Sequence, residues 1–187
     1  MTGVQTCALP IFNPLPTISL LASRPLALVP GNQLTLTAVV SPGGGTYQWK
    51  KNGSNYTGPG ATSSTLSNLT VDDIGIYTCT YTDGNGCSKT SDAMVVTGEP
   101  SDKIWLYPNP NFGVFQVRFF NSNNEAVNVG IFNSVGQQVW TKAVTTGLAY
   151  SKIDVDISNL SSGEYNVVVF NSAGKRVGVK KFVVVKQ

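Results

Sequence analysis

The sequence predicts an all-β protein, built as two consecutive antiparallel β-sandwich domains. Three observations predict it. Short apolar–polar alternations recur along the chain, separated by clusters of Gly, Pro, Asn and Asp every roughly 8–12 residues. No stretch sustains a helical period. Only 12% of residues are charged, and Ser, Thr, Asn and Gly supply the polarity instead, as in many extracellular β-proteins. A length of 187 residues suits one or two domains, each large enough to bury its own core.

The opening stands apart from this pattern. Residues 1–11, MTGVQTCALPI, match a translated sequencing adapter. Residues 1–12 are therefore expected to be non-native, and the gene truncated upstream. The start does not suit a secretory leader, because no Lys or Arg precedes Arg24 to form a basic n-region. The apolar stretch at residues 18–22 is far short of the ~20 residues of a membrane span, so no transmembrane segment is expected.

Residues 13–98 form the first expected domain. Leu34, Leu36 and Ala38 alternate after the turn Pro30-Gly31-Asn32, which puts them on one face of a strand. Pro42-Gly43-Gly44-Gly45 turns into a strand carrying Trp49 and ending at Asn52-Gly53. Further strands are expected near residues 65–69, 74–79 and 93–97. Three features resemble an immunoglobulin-like domain: Trp49 stands where the core Trp of strand C belongs, Tyr77 looks like the tyrosine corner two residues before Cys79, and residues 31–38 look like strand B. Ala38 occupies the usual place of the first cysteine, so the inter-sheet disulfide is absent and Cys79 should face Ala38 across the core.

Two readings of Cys79 and Cys87 compete, a short-range disulfide and a pair of unpaired thiols. Pairing Thr82 with Cys87 across a four-residue turn would set Cys79 opposite Thr90, too far for the ~5.5 Å Cα separation a disulfide prefers. Unpaired thiols are favoured. Asp83-Gly84-Asn85-Gly86 reads as a hairpin turn rather than a calcium loop, since no further carboxylates lie near it in sequence. Asp72 and Asp73 look structural, with Asp73 at the corner before Tyr77. The Asn-x-Ser/Thr triplets at Asn52, Asn55, Asn68 and Asn159 are best explained by chance in a chain rich in these residues. Tyr47, Tyr56 and Tyr81 could form a ligand platform if exposed together, the signature of an adhesin or carbohydrate-binding module.

Residues 99–103, a polar break with Pro100, form the linker to a second expected domain at 104–187. Pro108-Asn109-Pro110 denies ladder donors to the crossing from an edge strand into a turn. About seven strands then follow, punctuated by Gly113, Gly136, Gly163 and Gly174. Tyr107-Pro108-Asn109-Pro110, Gly163-Glu164-Tyr165, Gly174-Lys175 and the ending Lys180-Lys181-Phe182-Val183-Val184-Val185-Lys186-Gln187 occur in that order at the C-terminus. In combination they resemble the type A C-terminal sorting domain of the bacterial type IX secretion system.

That resemblance implies recognition by the type IX translocon, removal by its sortase-like peptidase, and attachment of the mature protein to anionic lipopolysaccharide. The implied localisation is secreted or outer-membrane surface, with the sorting domain removed on export. Pro108, Asn109, Pro110, Gly113, Gly163, Tyr165, Gly174, Lys175, Lys180, Lys181 and Lys186 are the implied recognition positions. The plainer account of the same residues gives the glycines to turns, Tyr165 to packing and the lysines to protection of an edge strand.

The chain has no His, which removes imidazole bases, Ser-His and Cys-His nucleophile pairs and His metal ligands. No C-x-x-C motif supports zinc or thiol redox chemistry. No catalytic, cofactor or metal site is expected, and the chain is expected not to be an enzyme. Residues 12–102 hold 4 basic and 6 acidic side chains, and residues 103–187 hold 9 and 4. The basic residues are scattered and make no stripe with interleaved aromatics, so no nucleic-acid partner is expected. The expected product is the C-terminal part of an exported surface protein. Its first domain is a spacer or an adhesive module, with surface glycans as the alternative ligand and a larger secreted enzyme as the alternative parent.

Overall fold

The computed structural model describes residues 14–121 and 125–186; the adapter-like segment lies outside the described residues. Sixteen strands and one short 3₁₀ turn, Val71–Asp73, make up the regular structure of the described residues, as the alternation predicts. The hydrogen-bonded ladders divide the chain after residue 98. Compactness divides it differently, into two units of which the second holds residues 24–34 and 68–75 as well as 95–187.

Nine strands precede the division: β1 (Thr17–Ala22), β2 (Ala27–Leu28), β3 (Leu34–Ser41), β4 (Thr46–Lys51), β5 (Ser54–Asn55), β6 (Thr65–Leu69), β7 (Gly75–Thr82), β8 (Ser88–Thr90) and β9 (Met94–Gly98). One sheet runs β1-β3-β6; the other runs β2-β9-β7-β4-β5, with β8 also on β7. The short β2–β9 pair is parallel, an exception to the expected antiparallel pairing. In β3 the alternation works as read: Leu34, Leu36 and Ala38 are buried. Trp49 is wholly buried and its indole N–H donates to the Ser63 carbonyl at 2.9 Å, which satisfies the one polar atom it takes into the core. The 3₁₀ turn carries a capping box in which the Asp73 carboxylate accepts from the Thr70 amide at 3.0 Å, so Asp73 is structural.

Cys79 sits opposite Trp49 in the β4–β7 ladder, buried and free; Cys87 is half-buried and free. Burial pushes the Cys79 thiol up to about 11, so it remains protonated at neutral pH. The expected β7–β8 register is one residue off. Thr82 pairs with Ser88 rather than Cys87, and Ser91 rather than Thr90 meets Cys79. The reason is the Asp83 carboxylate. It accepts from the amides of Asn85 and Cys87, both at 2.9 Å, and tightens the turn to three residues closed by Asp83 and Cys87. That carboxylate is buried in its own turn, which accounts for the Asp without a calcium ion.

Seven strands follow: β10 (Ile104–Tyr107), β11 (Val114–Phe119), β12 (Ala126–Phe132), β13 (Gln138–Thr145), β14 (Ile153–Asp156), β15 (Gly163–Phe170) and β16 (Arg176–Val184). They form the sheets β10-β11-β14 and β13-β12-β15-β16, antiparallel throughout. Phe115, Val117, Val129, Ile131, Val155, Val167, Val169 and Phe182 make their common core. The β12–β13 and β15–β16 turns repeat the Asp83 device. Asn133 and Asn171 each bond, through backbone and side chain, to the residue four ahead, and Gly136 and Gly174 supply the left-handed φ of 81° and 75°.

Candidate recognition site: the clasped C-terminal strand

Pro108, Asn109 and Pro110 leave the end of β10 as an exposed turn, with both X-Pro bonds cis. The next residue reverses the trend. Asn111 is 2% exposed, and its side-chain oxygen accepts from the Gly113 amide at 2.8 Å, fixing the bend into β11. Its backbone is then free to face outward from the turn. The Asn111 N–H donates to the Val183 carbonyl at 3.2 Å, and its carbonyl accepts from the Val185 amide at 2.8 Å. This is a parallel bridge between Asn111 and Val184. The Asn109 side chain adds a longer bond, accepting from the Val183 amide at 3.4 Å across 74 residues of sequence.

The other side of the same strand end is also held. Gly163 pairs with Val184, and the Ser162 hydroxyl accepts from the Lys186 amide at 2.9 Å. Residues 183–186 are thus clasped from both sides, while the first part of β16 is a true edge with alternating exposed Val177 and Val179. Edge protection by lysine therefore fits Lys180 and Lys181, on the open part of β16, but not Lys186 in the clasped end. Phe182 and Val184 point into the core, and the Phe182 ring lies 4.6 Å from Phe115 and 5.9 Å from Tyr165, stacked on the latter. Tyr165 is 7% exposed, and its hydroxyl donates to the Ser161 carbonyl at 2.9 Å. Packing, as the plainer account held, is what Tyr165 does here.

Gly113 is required twice over. Its φ is +95°, and a Cβ there would sit 2.7 Å from the Ser158 Cα. Its carbonyl meanwhile accepts from the Ile157 amide at 2.7 Å. Gly163 is different: it opens β15 without a left-handed φ, and a Cβ would meet only Tyr165 at 3.8 Å. The expectation that the glycines serve turns fits Gly113 and Gly174 but not Gly163. Lys186 donates through its ammonium to the Ser158 carbonyl. The Ser158 amide holds the Asp156 carboxyl below the usual carboxylate range, with the Lys186 charge a lesser contribution.

Around the clasp the surface is apolar. Tyr107 is 77% exposed, Phe112 60% and Val114 57%. Tyr107, Pro108 and Val114 line a shallow groove of about 220 Å³ with Phe115, Gln116 and Asp154.

The remaining implied positions lie elsewhere. Gly174 and Lys175 occupy the β15–β16 turn, the length of an eight-residue strand away from Gly163, or about 25 Å. Lys180 is exposed on the edge part of β16, and Lys181 pairs with Glu164 at 2.6 Å in solvent. Asn111, central to the clasp, and Phe182, which seats the strand in the core just before it, were absent from the expected set. The alternation of Phe182 with Val184 signalled the second; nothing in the pattern marked the first.

The proposed tyrosine platform of the first unit does not meet its condition. Tyr81 is fully buried, donating to the Pro42 carbonyl at 2.8 Å and accepting from the Gly45 amide at 2.9 Å. Tyr47 packs on Tyr81 at 5.1 Å, whereas Tyr56 packs edge-on against Tyr77 at 6.5 Å. Tyr47 and Tyr56 are half-buried, and each packs on a different buried tyrosine, so the three rings do not make one exposed surface.

Comparison with known proteins agrees with this architecture. Residues 105–185 match the family described as secretion system C-terminal sorting domain, and residues 7–97 match the immunoglobulin domain. The second match starts inside the adapter-like segment. No curated protein matches the chain. Among solved structures, the human OSCAR ligand-binding domain is 14% identical, with 90% of this chain and 97% of that one covered and a TM-score of 0.35. A Bacteroides ovatus mixed-linkage glucan utilization locus protein, SGBP-B, solved with a mixed-linkage heptasaccharide, is 16% identical. That alignment covers 94% of this chain and 48% of that one, with a TM-score of 0.36. The chicken interferon gamma receptor alpha chain is 11% identical over 82% and 93%, at 0.32. Likenesses this weak carry no argument.

The sorting family marks proteins exported by type IX secretion to the cell surface or beyond, with the tail removed. The chain is therefore an immunoglobulin-like module followed by a type IX secretion C-terminal sorting domain.

Proposed function

We propose that the type IX translocon reads the clasped end of the second sandwich as a folded shape. One observation carries this: through Asn111, the Pro108-Asn109-Pro110 turn and the closing strand, distant in sequence, form a single surface. The exposed Tyr107, Phe112 and Val114 give that surface apolar area for a partner, and Lys186 gives it charge. After recognition the sortase-like peptidase removes the domain, and the mature part is attached to anionic lipopolysaccharide. Gly174 and Lys175, at the far end, form a second point of contact.

The chain acts by recognition rather than catalysis, in keeping with a sequence lacking His and with two matched families that are not catalytic. The first unit serves as a spacer. Tyr81 is buried, and the half-buried Tyr47 and Tyr56 pack on different tyrosines, which favours a spacer over an adhesive or glycan-binding role.

Gly163→Ala separates recognition from folding. The added methyl meets nothing closer than 3.8 Å, so stability should change by less than about 1 kcal/mol. If Gly163 is read by the machinery, surface display of a fused reporter should fall at least tenfold, about the 1.4 kcal/mol of one lost contact. Unchanged display would remove Gly163 from the recognition surface.

A further inference from the structure

We infer that removal of the sorting domain breaks the Ser101–Asp102 peptide bond. The inference rests on the export reading above and adds the position of the cut, which the family match leaves open.

A peptidase takes its substrate as an extended, exposed segment whose backbone is not already committed, so exposed polar loops are the preferred sites. Between Gly98, the end of β9, and Ile104, the start of β10, six peptide bonds are candidates. The N-terminal side is pinned. The Glu99 amide donates to the Leu28 carbonyl at 2.9 Å, and the Glu99 carbonyl accepts from the Tyr150 hydroxyl at 2.5 Å. Tyr150 is itself fully buried, edge-on against Trp105 and Phe120, so this anchor is rigid. Gly98 is itself paired with Leu28 in the β2–β9 ladder, and a Cβ on it would lie 2.6 Å from that of Ala149, so the chain is closely packed there. Gly98–Glu99 and Glu99–Pro100 are thereby excluded, and the Pro100 ring constrains the residue on each side of the next bond.

The C-terminal side is closed for different reasons. Ile104 is 7% exposed and paired with Phe119. The Lys103 amide donates to the Ser101 hydroxyl at 3.2 Å, which occupies the N–H of the Asp102–Lys103 bond. Ser101–Asp102 remains. Among the described residues, neither the Ser101 carbonyl nor the Asp102 amide makes a hydrogen bond; Asp102 is exposed, while Ser101 is half-buried and only its hydroxyl is engaged, by the Lys103 amide and Tyr150. A cut here falls before β10 and leaves β10 to β16 on one covalent piece.

The step is an acyl transfer. The bond between the Ser101 carbonyl carbon and the Asp102 nitrogen breaks. Water places its hydroxyl on that carbon and its remaining proton on the nitrogen; where an amine is the acceptor, its nitrogen takes the carbon and its proton passes to the leaving nitrogen.

The test is direct. The purified full chain is incubated with outer membranes of a bacterium that carries the system, and the fragments are weighed by intact-mass spectrometry. Fragments 1–101 and 102–187 are expected. Asp102→Pro, which makes the target bond a tertiary amide with no N–H, should lose both fragments, while Asp102→Ala should retain them. A cut at any other bond, or none, overturns the assignment. Retention of a fused reporter in the periplasm of living cells would instead count against the export reading, so the two failures are told apart.

Discussion

Replacing Phe182 with alanine is expected to destabilise the second sandwich by about 3–5 kcal/mol, the usual cost of deleting a buried aromatic ring. Phe182 is 1% exposed and contacts both Phe115 and Tyr165, so its removal opens a cavity between the two sheets. Domains of this size are stable by only about 5–15 kcal/mol, and the loss should therefore be visible as a large fall in the urea midpoint. Val183→Ala, one residue on but facing outward at 37% exposure, should change stability by less than about 1 kcal/mol. Equal effects from the two substitutions would mean that the closing strand is not seated as described. Because Phe182 immediately precedes the clasped residues, export should fail in Phe182→Ala together with stability.

Gly113→Ala should cost about 2–4 kcal/mol from two sources. A left-handed φ of +95° strains any residue with a Cβ, and the new methyl would strike backbone atoms of Ser158 at 2.7 and 2.9 Å. Backbone cannot rotate away as a side-chain tip can, so the 2.7 Å hydrogen bond from Ile157 to the Gly113 carbonyl must lengthen. Gly136→Ala supplies the comparison, since its φ of +81° is similar and nothing lies within 4 Å of its Cβ position. It should cost only about 1 kcal/mol, the conformational part alone. Thermal unfolding of the two variants measures the difference; equal losses would show that close approach to Ser158 does not matter.

Much of the fold was legible because it is written in period two. Leu34, Leu36 and Ala38 alternate and are buried, and the same rule run through Tyr77, Cys79 and Tyr81 places Tyr81 on the core face. The tyrosine platform conflicted with that alternation. The site was less legible because its central contact is non-local. Asn111 is a polar residue in a turn, where exposure is the ordinary expectation, yet it is buried where its backbone meets Val183 and Val185 from the far end of the domain. A single sequence holds no local trace of a parallel bridge between such distant segments. The one-residue register error at Asp83 has a similar origin, since its carboxylate takes over two amide bonds that a count of turn residues cannot reveal.

The most direct measurement is where an inert exported reporter goes when it carries this chain, with and without residues 182–187. With the complete chain, the reporter should reach the cell surface and lose the sorting domain. Without the closing residues, it should stay in the periplasm uncut. Equal surface display of both would contradict the claim that the clasped strand end is what the secretion machinery reads.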